Sequence, residues 1–316
     1  DGRCPSIASL EQYVPRQTSK VYAADGRFIT ELGLERRTLM RLQDIPKHVR
    51  DAVVITEDRR FYSHSGVDFF RVFGALARNV KAGRYAQGFS TITMQLARNV
   101  FSDRISREKT LLRKIKEARV ARAIEQRYPK DKILELYLNQ VYLGNGAYGV
   151  ETASQRYFGK SVRDVTVAEA AMLAGLPKAP SAYNPINNPK RARSRQLYII
   201  ERMLDNGFIT QAQADQAKGE ELQVRNANLG FRNHADYVAE MARSLMFAQY
   251  GADAYTRGLK VYTTVRAADQ EVAYQALRRG IMDYEKRQHY RGPEKFIDLP
   301  ANARERDELI DDTLIE

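Results

Sequence analysis

Glu57-Asp58-Arg59-Arg60-Phe61-Tyr62-Ser63-His64-Ser65-Gly66-Val67-Asp68 sets two adjacent carboxylates ahead of an aromatic ring, a histidine, a glycine and a third acid. Taken singly, Glu57 and Asp58 read as a solvated charged loop neutralised by Arg59 and Arg60. His64 alone reads as a structural hydrogen-bonding histidine. At fixed offsets these residues constrain one another, and the stretch reads as a site. Upstream, Val49, Ala52, Val53 and Thr56 recur at three- and four-residue steps behind Pro46, which predicts a helix. Glu57 and Asp58 fall at its C-terminal end, where the helix dipole disfavours negative charge.

Further downstream, Gln87-Gly88-Phe89-Ser90-Thr91-Ile92-Thr93-Met94-Gln95-Leu96-Ala97-Arg98-Asn99 places hydroxyls and an amide after a glycine. Such a polar wall can hold sugar hydroxyls or phosphate oxygens at a helix start. Its plainer reading is a Ser/Thr N-cap. In Arg113-Lys114-Ile115-Lys116-Glu117, Arg113, Lys114 and Glu117 share one helix face. A surface salt bridge would explain that much. Residues 104–130, however, hold ten Lys or Arg against three Glu, a cationic wall suited to a diphosphate. Lys130-Asp131-Lys132-Ile133-Leu134-Glu135-Leu136-Tyr137-Leu138-Asn139 reads as a supporting helix, with Ile133, Leu134, Tyr137 and Leu138 packing it.

In this order the stretches resemble the motifs of the peptidoglycan glycosyltransferases: E-D-x-x-F-x-x-H-x-G-x-D, G-x-S-T-x-T-Q-Q, R-K-x-x-E and K-x-x-I-L-E-x-Y-L-N. Met94 stands where the second motif has its first glutamine. Arg195-Gln196-Leu197-Tyr198-Ile199-Ile200 stands, with departures, where R-A-x-x-V-L is usual, and Leu176-Pro177-Lys178-Ala179-Pro180-Ser181 is similar to a family loop. The flanks resemble a class A, bifunctional penicillin-binding protein whose transpeptidase domain is absent. An S-x-x-K occurs only as Ser106-Arg107-Glu108-Lys109, without partner motifs, and reads as coincidence.

The resemblance implies polymerisation of lipid II into β-1,4-linked glycan, with release of undecaprenyl diphosphate by a single inverting displacement. It implies Glu57 as general base and Glu117 as second acid, assisting the leaving group directly or by orienting Lys114, Arg113 or a divalent ion. Asp58, Phe61, His64 and Gly66 would shape the acceptor side; Ser90, Thr91, Gln95, Arg98, Arg113 and Lys114 would hold donor sugar and phosphates. A divalent cation, magnesium or manganese, is admitted, and no organic cofactor is implied. The implied partners are lipid II, the growing strand, the inner-membrane surface on its periplasmic face and other cell-wall synthesis proteins, with no nucleic acid. A single N-terminal anchor is expected in the full-length protein.

The fold class expected is mainly α, a lysozyme-like domain with a small β linker region near the two chain ends. Lys20–Ala23 and Arg27–Thr30 flank a turn at Asp25-Gly26 and predict a hairpin. Leu259–Val265 reads as a strand that pairs with it. Helices are expected over Phe69–Val80, 107–126, 130–139, Glu169–Leu176, Arg191–Leu204 and Gln211–Ala217. The expected divisions are an N-terminal segment over 1–42, the catalytic domain over 43–230, and a linker helix, strand and truncated region over 231–316. The stripe carrying Phe69, Phe70 and Phe73 reads as core or as a membrane-facing surface.

Composition agrees. Hydrophobic content of 43% and charged content of 28% are ordinary, whereas a net charge of +12 asks for an anionic partner. One cysteine, Cys4, excludes an internal disulfide framework. The chain opens at Asp1 without a signal-like segment and reads as processed or trimmed. Two other functions use parts of this pattern. A lysozyme-like muramidase or lytic transglycosylase shares the cleft glutamate but has no diphosphate to neutralise. A basic nucleic-acid module shares the charge but lacks aromatics among the basic residues.

Overall fold

The computed structural model describes residues 17–33, 36–74, 89–101, 110–224, 234–288 and 296–300, with positions 105, 306, 309, 310 and 313. The second half of the Phe69–Val80 helix, the 82–85 stretch and Ser106–Lys109 lie outside them. The fold is mainly α, as expected, and divides into two units, Asp1–Ala267 and Ala268–Glu316.

Within the first unit, strands β1 (Ser19–Tyr22) and β2 (Phe28–Leu32) form the expected antiparallel hairpin, with Val21 opposite Thr30. Short strands β3 (Arg36–Arg37) and β4 (Ala147–Tyr148) pair in parallel elsewhere. Strand β5 (Lys260–Tyr262) lies parallel to β1, Val21 opposite Val261, so the helical body runs between two neighbouring strands. The strand is shorter than Leu259–Val265 because Thr263 already turns its hydroxyl and N–H onto the Tyr22 carbonyl.

The body contains α1 (Lys47–Glu57), α2 (Ile92–Val100), α3 (Leu111–Arg127), α4 (Lys130–Gln140), α5 (Val150–Phe158), α6 (Val167–Gly175), α7 (Pro189–Asp205), α8 (Gln211–Gly219) and α9 (Asp236–Tyr250). Helix α6 is buried nearly all round: Ala168, Ala170, Ala171, Met172, Leu173 and Ala174 are buried, and its one charged residue, Glu169, turns back to accept the Thr166 N–H, making the helix the central post against which α1 and α7 pack. A smaller core joins the sheet to α9 through Val21, Ile29, Leu32, Ala235, Ala239 and Ala242. In the second unit the end of α10 (Ala267–Arg287) buries none of its side chains.

One helix start and one further helix correct the sequence reading. Helix α3 starts at Leu111, where Thr110 adopts an extended backbone and caps it, accepting the Arg113 N–H; residues 107–109 of the expected helix lie outside the described residues. Helix α5 was not foreseen. Its segment VETASQRYF mixes polar and apolar residues, and its ends are set by the left-turning Gly149 and Gly159.

Candidate active site

Glu57 is the last residue of α1 and its carboxylate faces inward. Its Oε2 accepts a hydrogen bond from Gln95 Nε2 at 2.8 Å, and Gln95 Oε1 accepts from the buried Tyr137 hydroxyl at 3.3 Å. Tyr137 thereby fixes the amide with its NH₂ toward Glu57. Arg71 Nη1 donates to the Glu57 main-chain oxygen at 2.6 Å, satisfying a carbonyl that the helix end leaves free. Burial pushes the Glu57 carboxyl above its ordinary range. The Gln95 hydrogen bond and the charges of Arg195 and Arg71 pull it down, but desolvation wins and Asp58 adds to it. Such a carboxylate is suited to accepting a proton.

Asp58 does different work. It is buried and accepts from His64 Nε2 at 3.0 Å and from the Ile92 N–H at 3.0 Å, placing an anion on the first turn of α2. Thr91 caps that helix, accepting the Met94 N–H at 3.2 Å while its hydroxyl donates to the Gly66 carbonyl at 2.6 Å. Asp58, His64, Gly66 and Thr91 therefore stitch the first motif to the second. Phe61 is buried beneath them, with Lys130 Nζ 4.4 Å from its ring centroid.

Gly66 has φ +88°, and a Cβ there would stand 2.8 Å from the main chain of Ala121 and Arg122 in α3. The motif needs glycine because a helix backbone lies against it. Gly66→Ala is expected to lower unfolding free energy by at least about 1–3 kcal/mol from strain alone, since neither backbone can yield cheaply. Urea denaturation checks this, and an unchanged midpoint would refute the close packing.

The third motif builds a cationic cage. Glu117 is fully buried, with Lys114 Nζ at 2.7 Å, Arg113 Nε at 3.3 Å and Arg98 Nη1 at 3.5 Å. Lys114 also donates to Ser90 Oγ at 2.5 Å. Burial lowers the Lys114 pKa against the opposing pull of Glu117. Three cations around one carboxylate leave two surplus positive charges, which match a diphosphate. Glu117 orients its cations and has no exposed oxygen to offer. A divalent cation fits it poorly, because three cations already occupy its lone pairs. Among the described residues no cluster of three His, Cys, Asp or Glu could hold a metal.

One helix links the two parts. Gln95 and Arg98 lie three apart on α2, so the side chain that holds Glu57 and one that holds Glu117 share a face, roughly 4.5 Å apart along the axis. Thr93 on α2 donates to Glu125 at 2.5 Å, and Lys130 closes on Glu125 at 2.6 Å, fastening α2 to α3 and α4. Met94 is buried, so the position that departs from the motif faces the interior. Phe69, Phe70 and Phe73 are 62%, 75% and 68% exposed; they line a surface, not the core.

The sequence reading placed Gln95 with the donor sugar, and the structure sets it on Glu57. It also missed Arg71, Tyr137 and Arg195 as neighbours of that base. Arg195 carried a signal, being the one position of the fifth stretch that keeps the motif's residue. Arg71 carried none, because its contact is to a main-chain oxygen.

The Transglycosylase family model matches residues 25–204. Penicillin-binding protein 1A of Neisseria flavescens is 51% identical over 297 residues, covering 94% of this chain and 37% of that protein. Penicillin-binding protein 1A of Pseudomonas aeruginosa is 45% identical over 301 residues, covering 95% and 36%. The crystal structure of Penicillin-Binding Protein 1A from Haemophilus influenzae superposes with a TM-score of 0.51 at 31% identity, covering 93% of this chain and 34% of that one. The chain thus spans about a third of the length of these relatives.

Proposed function

The chain belongs to the transglycosylase family, and on that premise we propose that it polymerises lipid II into β-1,4-linked glycan with Glu57 as general base. The observation that carries this reading is the pairing of a desolvated carboxylate with a separate cage of surplus positive charge. Glu57 takes the proton from the acceptor's 4-hydroxyl as that oxygen attacks the anomeric carbon of the donor. The bond from that carbon to the diphosphate oxygen breaks, and the pair of electrons leaves on undecaprenyl diphosphate. Lys114, Arg113 and Arg98 stabilise the growing charge, in a preorganised setting where such stabilisation is strongest. Attack opposite the leaving group inverts an α-linked donor to a β-linked product.

The lytic reading shares the glutamate but gives the cage no purpose, because glycan cleavage releases no diphosphate. The substrate's lipid tail stays in a bilayer, and the exposed Phe69, Phe70 and Phe73 supply apolar surface to meet it, with Arg60 stacked 4.4 Å from the Phe70 ring centroid. Among the described residues no helix is long and apolar enough to cross a membrane. The periplasmic face of the inner membrane is the setting this chemistry requires, and other cell-wall synthesis proteins are its expected neighbours there.

The test is incubation of the chain with labelled lipid II in detergent, products being separated by gel. A ladder of long glycan is expected. A folded protein that makes no ladder but cleaves preformed glycan would move it to the lytic class.

A further inference from the structure

The inner face of α4 carries Ile133, Leu134, Tyr137 and Leu138, all fully buried. Apolar packing accounts for three of them outright and for the tyrosine only in part. Phenylalanine would fill the same place without taking a hydroxyl out of water, and a buried hydroxyl is unfavourable unless something meets it. Gln95 meets it: the Tyr137 hydroxyl donates to Gln95 Oε1 at 3.3 Å, and Gln95 Nε2 donates to Glu57 Oε2 at 2.8 Å.

The two hydrogen bonds run head to tail and end on the carboxylate, so each polarises the other. With its oxygen held by Tyr137, the Gln95 amide shows Glu57 its N–H side. A donor there favours ionised Glu57, the form that accepts a proton. Without the hydroxyl, Gln95 Oε1 loses its donor in a buried setting, and the amide is no longer held this way round. Turned over, it would aim an oxygen at the carboxylate. The charges that act on Glu57 are Arg195, Arg71 and Asp58, and those that act on Tyr137 are Glu57, Arg98 and Asp58. All of them stay in place when only the hydroxyl is removed.

We propose that Tyr137 is a positioning residue for the general base, acting through Gln95 to hold Glu57 ready to take the acceptor's proton. The inference rests on Glu57 being the base. Tyr137 touches no reacting atom, because it has no exposed surface. Burial pushes its own pKa well above the ordinary phenol value, and Glu57 adds to the rise, so Tyr137 keeps its proton wherever the enzyme works.

The experiment records kcat/KM against pH for wild type, Tyr137→Phe, Gln95→Leu and the double variant. Carboxyl carbon NMR follows the same proteins without turnover, the Glu57 signal being the one absent from Glu57→Gln. Tyr137→Phe is expected to move the acidic midpoint up by roughly 0.5–1 pH unit in both readouts, lowering the acid-limb rate roughly three- to tenfold and the plateau by less. Gln95→Leu removes both hydrogen bonds and raises the midpoint at least as far. In that background Tyr137→Phe adds no further rise, because the route from phenol to carboxylate is already cut.

A tyrosine that only packs would leave the midpoint where it is, or add its loss in full to that of Gln95→Leu. Either result in folded protein overturns the proposal and leaves the polymerase reading intact. Should Tyr137→Phe fail to fold, Gln95→Leu decides: a raised midpoint supports the relay, and an unmoved one overturns it. A wild type that forms no glycan would instead remove the polymerase reading, with the carboxyl titrations still reporting on Tyr137.

Discussion

Glu57→Gln is expected to abolish glycan synthesis to within assay limits, a loss of roughly 100- to 10,000-fold in turnover, the range that general base catalysis supplies. The substitution keeps the shape of the side chain and its hydrogen bond with Gln95, so binding of lipid II should persist. The wild-type pH profile adds an independent check. Because burial raises the Glu57 pKa, kcat/KM should climb with pH through a midpoint above the ordinary carboxylate range, and the Gln variant should lack that limb.

Stability carries the opposite sign. A carboxyl whose pKa is higher folded than unfolded binds more protons in the folded state, so stability falls as pH rises between the two values. Below the ordinary carboxylate range the wild type and Glu57→Gln should melt together. Above the raised folded value the variant should melt higher, by the cost of holding a buried charge. Thermal melts across that range measure it. A variant that polymerises normally would end the base assignment. One that melts no higher at neutral pH would show Glu57 to be solvated.

Periodicity and motif spacing made much of this architecture legible before any coordinates. The steps of Val49, Ala52 and Val53 gave α1 and so put Glu57 at a helix end, and the Arg113–Glu117 spacing gave the face of the cage. What could not be read was which motif residues touch substrate and which hold the others. Asp58 and Gly66 look like ligand-side residues in sequence, yet one caps a helix start and the other admits a helix backbone. Those roles depend on where α2 and α3 cross, and that crossing is made by contacts distant in sequence, such as Ile92 to Asp58 and Thr93 to Glu125. The α5 segment was missed for a different reason: Val150, Ala153, Tyr157 and Phe158 do recur at helical steps, but over only nine residues between Gly149 and Gly159, shorter than the run on which periodicity decides.

Glu117→Gln is the second large effect expected, and here the loss is in folding as well as catalysis. Glu117 has no exposed surface, and three cations converge on it. Removing its charge leaves those cations mutually repelling with little water to screen them, and breaking a buried pair in this way costs about 3–5 kcal/mol. For a domain of this size that is a fall in Tm on the order of 10 °C. The same change raises the surplus at the cage from two charges to three, so an anion should bind it more tightly. Inorganic pyrophosphate, the part of the leaving group this cage is argued to meet, should therefore raise the Tm of Glu117→Gln more than that of the wild type. Polymerisation should still fall, because Lys114 and Arg113 lose the group that aims them, and aim is what a preorganised site contributes. Differential scanning fluorimetry with and without pyrophosphate reads both effects. A variant that melts with the wild type would show that Glu117 is not a buried counter-ion. Equal pyrophosphate shifts in the two proteins would show that the anion binds elsewhere, and the cage would lose its role in holding the leaving group.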